Sequence, residues 1–339
     1  MVGCVIVEDD QVVAEGFHAR AGDPHAEVMA LAKLGRAPGP DATLCVTLEP
    51  CSTHGLTPPC VKAILASGIS RVVVGALDPN PAHAGRGLDL LRQAGVEVIE
   101  TDGDLAADCA DLNMIFNHQV VTGEPFFSLK LAVTANGKVA ERPGAPSVIT
   151  GPEARADVML WRRLFPAIAV GAGTVVADDP QLTARLPEGT WCPRRIILDG
   201  KLSSVPEKGN LPKVFSDDHR ANTLVVTAIG SSPSRREALA EVGVALRELP
   251  ADESGRFPIA DLKTLCVEEG LTGVYFEGGP TVARQLLDCG VLDHLFWYES
   301  PKVFDNEDAP AAPSRSSFSL HGERNIQLGP DLLTRGYLS

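Results

Sequence analysis

Long apolar runs, positive charge and aromatic side chains are all scarce in this 339-residue chain. No apolar stretch approaches the ~20 residues of a membrane-spanning helix. The longest, residues 167–177, is interrupted by glycines. No basic segment leads into an apolar one at the N-terminus, so a secretory signal is not expected and the cytoplasm is the expected location. Lys and Arg number 30 against 44 Asp and Glu, a net charge of -14. An acidic chain without aromatic–basic tracts has no footprint for a polyanion, so neither nucleic acid nor a membrane surface is an expected partner. A local basic pocket for a phosphorylated small molecule remains open. The eight cysteines are scattered, and in a reducing compartment they read as core residues or metal ligands rather than disulfides. No internal repeat is visible. Because the chain opens directly on a strand-like run at residues 2–7, an element upstream of that strand is expected to be missing.

At roughly 150 residues per domain, the length predicts about two domains. Hydrophobic residues at 44% and charged residues at 22% are those of an ordinary globular protein. Apolar runs at 2–7 and 12–17 flank Asp9-Asp10, a hairpin signal. Helical spacing follows at 26–34, 61–66 and 87–94, alternating with strand candidates at 44–48, 71–75 and 96–100, and one helix is expected over 105–119. Gly123-Glu124-Pro125 marks a boundary, giving domains 1–122 and 126–339. Beyond it, strands are expected at 126–132, 167–171, 195–198, 224–227 and 274–276, with helices at 153–164, 234–242, 261–269 and 281–289 and a loop over 309–319. This rhythm is that of an α/β protein.

The most informative pattern is Pro24-His25-Ala26-Glu27, followed by Glu49-Pro50-Cys51 and by Cys60. One imidazole and two thiolates leave the fourth zinc position for water, as catalysis requires, and zinc makes hydroxide available near neutral pH. Glu27, two residues past His25 at a helix start, is placed to move protons. A second histidine at the H-E-x-x-H spacing is absent. The order matches the H-x-E…P-C…C pattern of zinc nucleobase deaminases, and Pro58-Pro59 puts Cys60 at a helix N-terminus, where amide dipoles favour a thiolate. His54, between the two cysteines, is the alternative fourth ligand of a structural site in a non-catalytic module. In the second half, Gly171-Ala172-Gly173-Thr174 and Glu277-Gly278-Gly279-Pro280-Thr281 are glycine-rich turns after strands, able to bring backbone amides to a phosphate. Neither is the G-x-G-x-x-G fingerprint. Arg162 and Arg185 are candidate phosphate partners, with surface ion pairs as the alternative.

Eight residues separate Cys51 from Cys60, where common nucleobase deaminases have two. With Met1-Val2-Gly3, Gly16-Phe17-His18, Thr47 to Ser52, Thr57-Pro58-Pro59-Cys60 and Asp78-Pro79-Asn80-Pro81, this long insert resembles the bifunctional riboflavin-biosynthesis deaminase/reductase family. Leu129 to Ala132, Ile149-Thr150-Gly151, Gly171 to Val175, Ala177 to Pro180, Leu182 to Arg185 and Glu277 to Thr281 extend the resemblance over nearly the whole chain. The resemblance implies a cytidine-deaminase-like α/β/α domain followed by a dihydrofolate-reductase-like α/β domain, with zinc and NADPH as cofactors. Zinc would sit on His25, Cys51 and Cys60, with Glu27 catalytic. NADPH would contact Ala132, Thr174, Asp178, Gly279, Pro280 and Thr281. A phosphorylated pyrimidine would contact Arg162, Leu182, Arg185 and Glu277. Symmetric assembly is the base-rate expectation, and a chain with only one working domain is the alternative. This sequence departs from the family at Leu56, Asn136, Pro166 and Phe304-Asp305-Asn306, and the family's N-terminal helix would precede Met1.

Overall fold

The computed structural model describes residues 1–20 and 22–338, which form two compact units, Met1–Gly123 and Glu124–Ser339. In the first, β1 (Gly3–Glu8) and β2 (Gln11–Phe17) form the expected hairpin. Asp9 and Asp10 both take positive φ in its turn, a conformation that short polar side chains tolerate. Then follow α1 (Ala26–Leu34), β3 (Thr43–Val46), α2 (Cys60–Ser67), β4 (Arg71–Val74), α3 (Arg86–Gln93) and β5 (Glu97–Glu100). The five strands pair in the order β2-β1-β3-β4-β5, antiparallel around β1 and parallel from β3 to β5.

Alternation sorts the faces of this sheet. Ile6, Leu44, Val46, Val72 and Val74 meet Ala26 and Ala30 of α1, Val61 and Ile64 of α2, and Leu88 and Leu91 of α3 in one core. Gly16 lets α1 approach β2: a Cβ there would lie 2.2 Å from the Ala26 carbonyl oxygen and 2.4 Å from the Ala30 nitrogen. On the opposite face, Val5, Cys45 and Val73 line a groove with Leu105 and Cys109. The single helix expected over 105–119 is two, α4 (Gly103–Asp111) and α5 (Met114–Thr122). The break falls at Asn113, which leaves the helical region at φ -120° and is almost fully buried.

The second unit comprises β6 (Phe126–Thr134), α6 (Pro152–Leu164), β7 (Ala167–Gly171), α7 (Ala172–Asp178), the small hairpin β8 (Ala184–Leu186) and β9 (Gly189–Trp191), β10 (Arg194–Leu198), α8 (Lys213–Ser216), β11 (Thr223–Ala228), α9 (Pro233–Glu241), β12 (Ala245–Leu249), α10 (Ile259–Glu268), β13 (Gly273–Phe276), α11 (Pro280–Asp288), β14 (His294–Ser300), β15 (Leu320–Leu328) and β16 (Asp331–Leu338). Its nine-stranded sheet runs β12-β11-β10-β7-β13-β6-β14-β16-β15. Pairing is parallel from β12 through β14 and antiparallel at β16 and β15. Every residue of β7 and β13 is buried, as expected for parallel strands covered on both faces. Residues 171–174, expected as a glycine-rich turn, instead carry β7 straight into α7. No helix among the described residues is long and apolar enough to cross a membrane.

Candidate active sites

In the first unit the N-termini of α1 and α2 carry two of the three candidate metal ligands, and Cys51, in the loop after β3, is the third. His25 is the N-cap of α1, and Cys60 is the first residue of α2 after Pro59. The ligand atoms of His25, Cys51 and Cys60 all lie within 4.8 Å of one another. His25 Nδ1 is 3.1 Å from Cys60 Sγ and 3.5 Å from Cys51 Sγ. Tetrahedral zinc with ordinary Zn–N and Zn–S bonds sets that edge at roughly 3.6 Å, so the donor set fits the metal in both chemistry and spacing. His54 is exposed, and its Nδ1 is 3.3 Å from the Gly55 carbonyl oxygen, outside this group.

Further interactions hold the cluster. The Cys60 backbone N–H donates to Cys51 Sγ at 3.2 Å. The Cys60 thiol hydrogen-bonds to Cys51 as well, and together these favour the Cys51 thiolate and lower its pKa. His25 Nε2 lies 3.2 Å from Thr57 Oγ1. A proton on Nε2 donated there leaves the Nδ1 lone pair facing the thiolates. Glu49, next to the Pro50-Cys51 ligand segment, accepts backbone N–H groups from Asp78, Gly85 and Gly87 at 3.2, 2.9 and 2.9 Å, tying the 78–87 loop to it. Glu27 is 3% exposed in the first turn of α1, and burial pushes its carboxyl above the ordinary range. Sequence reasoning missed Thr57 and Glu49, although both lie inside quoted motifs.

In the second unit one cleft of about 960 Å³ is lined by each residue expected to contact cofactor or substrate: Ala132, Arg162, Thr174, Asp178, Leu182, Arg185, Glu277, Gly279, Pro280 and Thr281. The first turns of α7 and α11 open into it, so their backbone N–H groups form an anion-binding surface suited to a dinucleotide. Gly279 caps α11 against α7; a Cβ there would stand 3.6 Å from Thr174 Oγ1. The floor is a buried ion cluster. Arg162 donates Nε and Nη2 to the two Glu277 carboxylate oxygens at 2.5 and 2.8 Å, and Nη1 to the Thr183 carbonyl at 3.0 Å. Lys130 Nζ is 3.8 Å from Glu277. Burial pushes the Glu277 carboxyl up, but Arg162 and Lys130 outweigh it and hold the group below its usual range. Burial likewise lowers Lys130 and raises Asp178. Lys130, missed from sequence, was signalled as the lone charge in the buried run of β6.

Two of the sequence departures are partners. Asn136 Nδ2 donates to the Phe304 carbonyl at 2.9 Å, and its Oδ1 accepts from Thr134 Oγ1 and the Phe304 N–H at 2.7 and 3.3 Å. A carboxylate could not make the first bond. Pro166 needs no donor: its carbonyl accepts the Arg194 N–H, and β7 begins after it. Leu56 projects into solvent at 84% exposure.

Both units match known protein families. Residues 1–76 match the cytidine and deoxycytidylate deaminase zinc-binding region, and residues 125–332 match the RibD C-terminal domain. The riboflavin biosynthesis protein RibD of Bacillus amyloliquefaciens is 39% identical over 340 residues, covering 98% of this chain and 88% of the relative. The chain belongs to the RibD family. RibD of Escherichia coli K12 is also 39% identical, over 90% of this chain and 83% of its own. A Thermotoga maritima diaminohydroxyphosphoribosylaminopyrimidine deaminase/5-amino-6-(5-phosphoribosylamino)uracil reductase superposes with a TM-score of 0.73 at 34% identity, covering 100% of this chain and 92% of that one. As a RibD-family chain this is a bifunctional enzyme of riboflavin biosynthesis. It joins a zinc deaminase of the cytidine-deaminase type to an NADPH-dependent, dihydrofolate-reductase-like domain.

Proposed function

We propose that residues 1–122 deaminate 2,5-diamino-6-ribosylamino-pyrimidinone 5′-phosphate and that residues 126–339 then reduce the ribosyl group of the product to ribityl. The observation that carries this reading is the convergence of His25, Cys51 and Cys60 ligand atoms beside the buried Glu27. Zinc on these three residues would supply an activated water. Glu27, whose burial raises its affinity for a proton, takes one as carboxylate from the attacking water and passes it to the ring amine that leaves as ammonia. Thr57 keeps His25 in the tautomer that presents Nδ1.

In the reductase cleft NADPH would supply hydride to the ribose carbon bonded to the exocyclic nitrogen. Gly279, Pro280, Thr281 and Thr174, at two helix N-termini, would hold its phosphates, and Ala132 and Asp178 would complete the cofactor wall. Glu277, oriented by the Arg162 fork, and Leu182 position the pyrimidine side of the substrate. Arg162 acts through Glu277, since its fork is already filled. Arg185, whose guanidinium among the described residues donates only to Thr183 Oγ1 at 3.3 Å, takes the substrate phosphate. The partner is thus a small phosphorylated pyrimidine, and the reading places the enzyme in the cytoplasm. Glu27→Gln should keep its zinc and its NADPH-dependent reduction of the deaminated pyrimidine while releasing no ammonia. Ammonia release at the wild-type rate would sink the assignment.

A further inference from the structure

The turn that leaves α7 enters the cleft in a conformation the chain disfavours. Among the described residues five non-glycine residues have positive φ, and two of them, Asp179 at 42° and Leu182 at 54°, fall within four positions here. Leu182 is buried and lines the cleft. A bulky side chain in the left-handed region is strained, and such strain persists only where the surroundings over-determine it. Anchors from three elements do so, at alternate residues of the turn. Arg162 of α6 donates Nη1 to the Thr183 carbonyl at 3.0 Å. Arg195 of β10 donates Nη1 to the Gln181 carbonyl at 2.9 Å. At 179 the turn uses a side chain of its own: Asp179 Oδ1 accepts the Lys213 backbone N–H at 2.7 Å, and its Oδ2 is 3.0 Å from Lys213 Nζ. The bond from the Lys213 amide is the main reason that the Asp179 carboxyl lies below its ordinary range.

Asp178, Pro180, Gln181, Leu182 and Arg185 line the cleft, whereas Asp179 does not. Its carboxylate reaches instead to the start of α8, 34 residues along the chain. Asp179 closes α7 in the left-handed region, where glycine is the usual residue, and its N–H donates to the Val175 carbonyl at 3.1 Å. An aspartate there gives up glycine's conformational freedom and gains a carboxylate anchor. We propose that Asp179 is a positioning residue of the reductase, clasped by Lys213 so that the turn sets Leu182 and Arg185 against the substrate. This rests on the reductase reading of the cleft. Asp178, the last residue of α7, is fixed by its helix, so the anchor at 179 governs the substrate side of the cleft and not the cofactor side.

The test compares wild type, Asp179→Gly, Asp179→Asn and Lys213→Pro by reductase kinetics on the deaminated pyrimidine and by NADPH binding in a fluorescence titration. Glycine accepts the left-handed turn but has no carboxylate. Asparagine tolerates the turn too and keeps an oxygen for the Lys213 amide. Proline at the first position of α8 suits a helix start and removes that amide from the other side. Asp179→Gly and Lys213→Pro should each raise KM for the pyrimidine about 10-fold, as a displaced binding segment does. The NADPH Kd should stay at its wild-type value, and Asp179→Asn should recover most of the loss in KM. An unchanged KM in either Asp179→Gly or Lys213→Pro would overturn the proposal. So would a pyrimidine KM and an NADPH Kd that weaken together, which would make Asp179 a brace for the domain at large. A wild-type enzyme that binds NADPH but reduces no pyrimidine would instead remove the reductase reading on which the proposal stands.

Discussion

His294 should make the second unit acid-labile, by an amount that its burial fixes. It opens β14, 1% exposed, with ring centroids 6.2 Å from Phe126, 4.5 Å from Phe296 and 5.0 Å from Tyr337. Its Nδ1 has no hydrogen-bond partner among the described residues. Burial, helped by the nearby Arg335 charge, lowers its pKa from 6.5 to about 3. The fold therefore holds a neutral ring, whereas the unfolded chain protonates near its ordinary pKa. The stability this contributes is complete above about pH 6.5 and is lost as pH falls toward 3. Between pH 7 and pH 5 the folded ring stays neutral, so the loss follows from the unfolded pKa alone and comes to about 2 kcal/mol. β14 pairs with β6 at Ser128 through Thr134, so this strand supports the one carrying Lys130 and Ala132. The assay is urea unfolding followed by tryptophan fluorescence. All three tryptophans, Trp161, Trp191 and Trp297, lie in the second unit, so the signal reports that unit. Wild type should lose about 2 kcal/mol more than His294→Phe on going from pH 7 to pH 5. Equal losses in the two proteins would refute the argument.

Two other perturbations test how the sites are braced. Thr57→Val removes the contact to His25 Nε2, and zinc affinity by chelator competition should fall roughly 10- to 100-fold; unchanged affinity would mean that the contact does not orient the imidazole. Arg195 is fully buried, donates to both Asp217 carboxylate oxygens at 2.7 and 2.9 Å, and holds the Gln181 carbonyl beside Leu182 at 2.9 Å. Arg195→Met strands the Asp217 charge and should cost about 3–5 kcal/mol in unfolding free energy; a loss below about 1 kcal/mol would show that Asp217 finds solvent instead.

How much could be read beforehand followed from the range of the interactions involved. α1 and β7 lie where their local patterns put them, at 26–34 and 167–171, because amphipathic spacing and a continuous apolar run are short-range signals. The zinc group was legible because His25, Glu27, Cys51 and Cys60 carry the chemistry in their residue types. The break at Asn113 was not, since the flanking helices share one uninterrupted pattern. β12 and β15 were missed because these edge strands carry charges such as Arg247, Glu248, Glu323 and Arg324 in place of apolar alternation. β14 did carry a signal, the Leu295–Tyr298 run, that the reading passed over. The Arg162–Glu277 fork joins residues 115 apart, and Asn136 reaches Phe304 across 168. Pairings of that span leave no local trace, so the Glu277 partner of Arg162 was not legible in the sequence.

Mass spectrometry of the products formed from the diaminopyrimidine ribosyl phosphate, with and without NADPH, bears most directly on one chain performing two successive chemistries. Without NADPH the account predicts a single product in which one ring amine has become oxygen. With NADPH it predicts the same change plus the gain of two hydrogens on the sugar. Hydrogen gain with the amine retained, or no change under either condition, would contradict it.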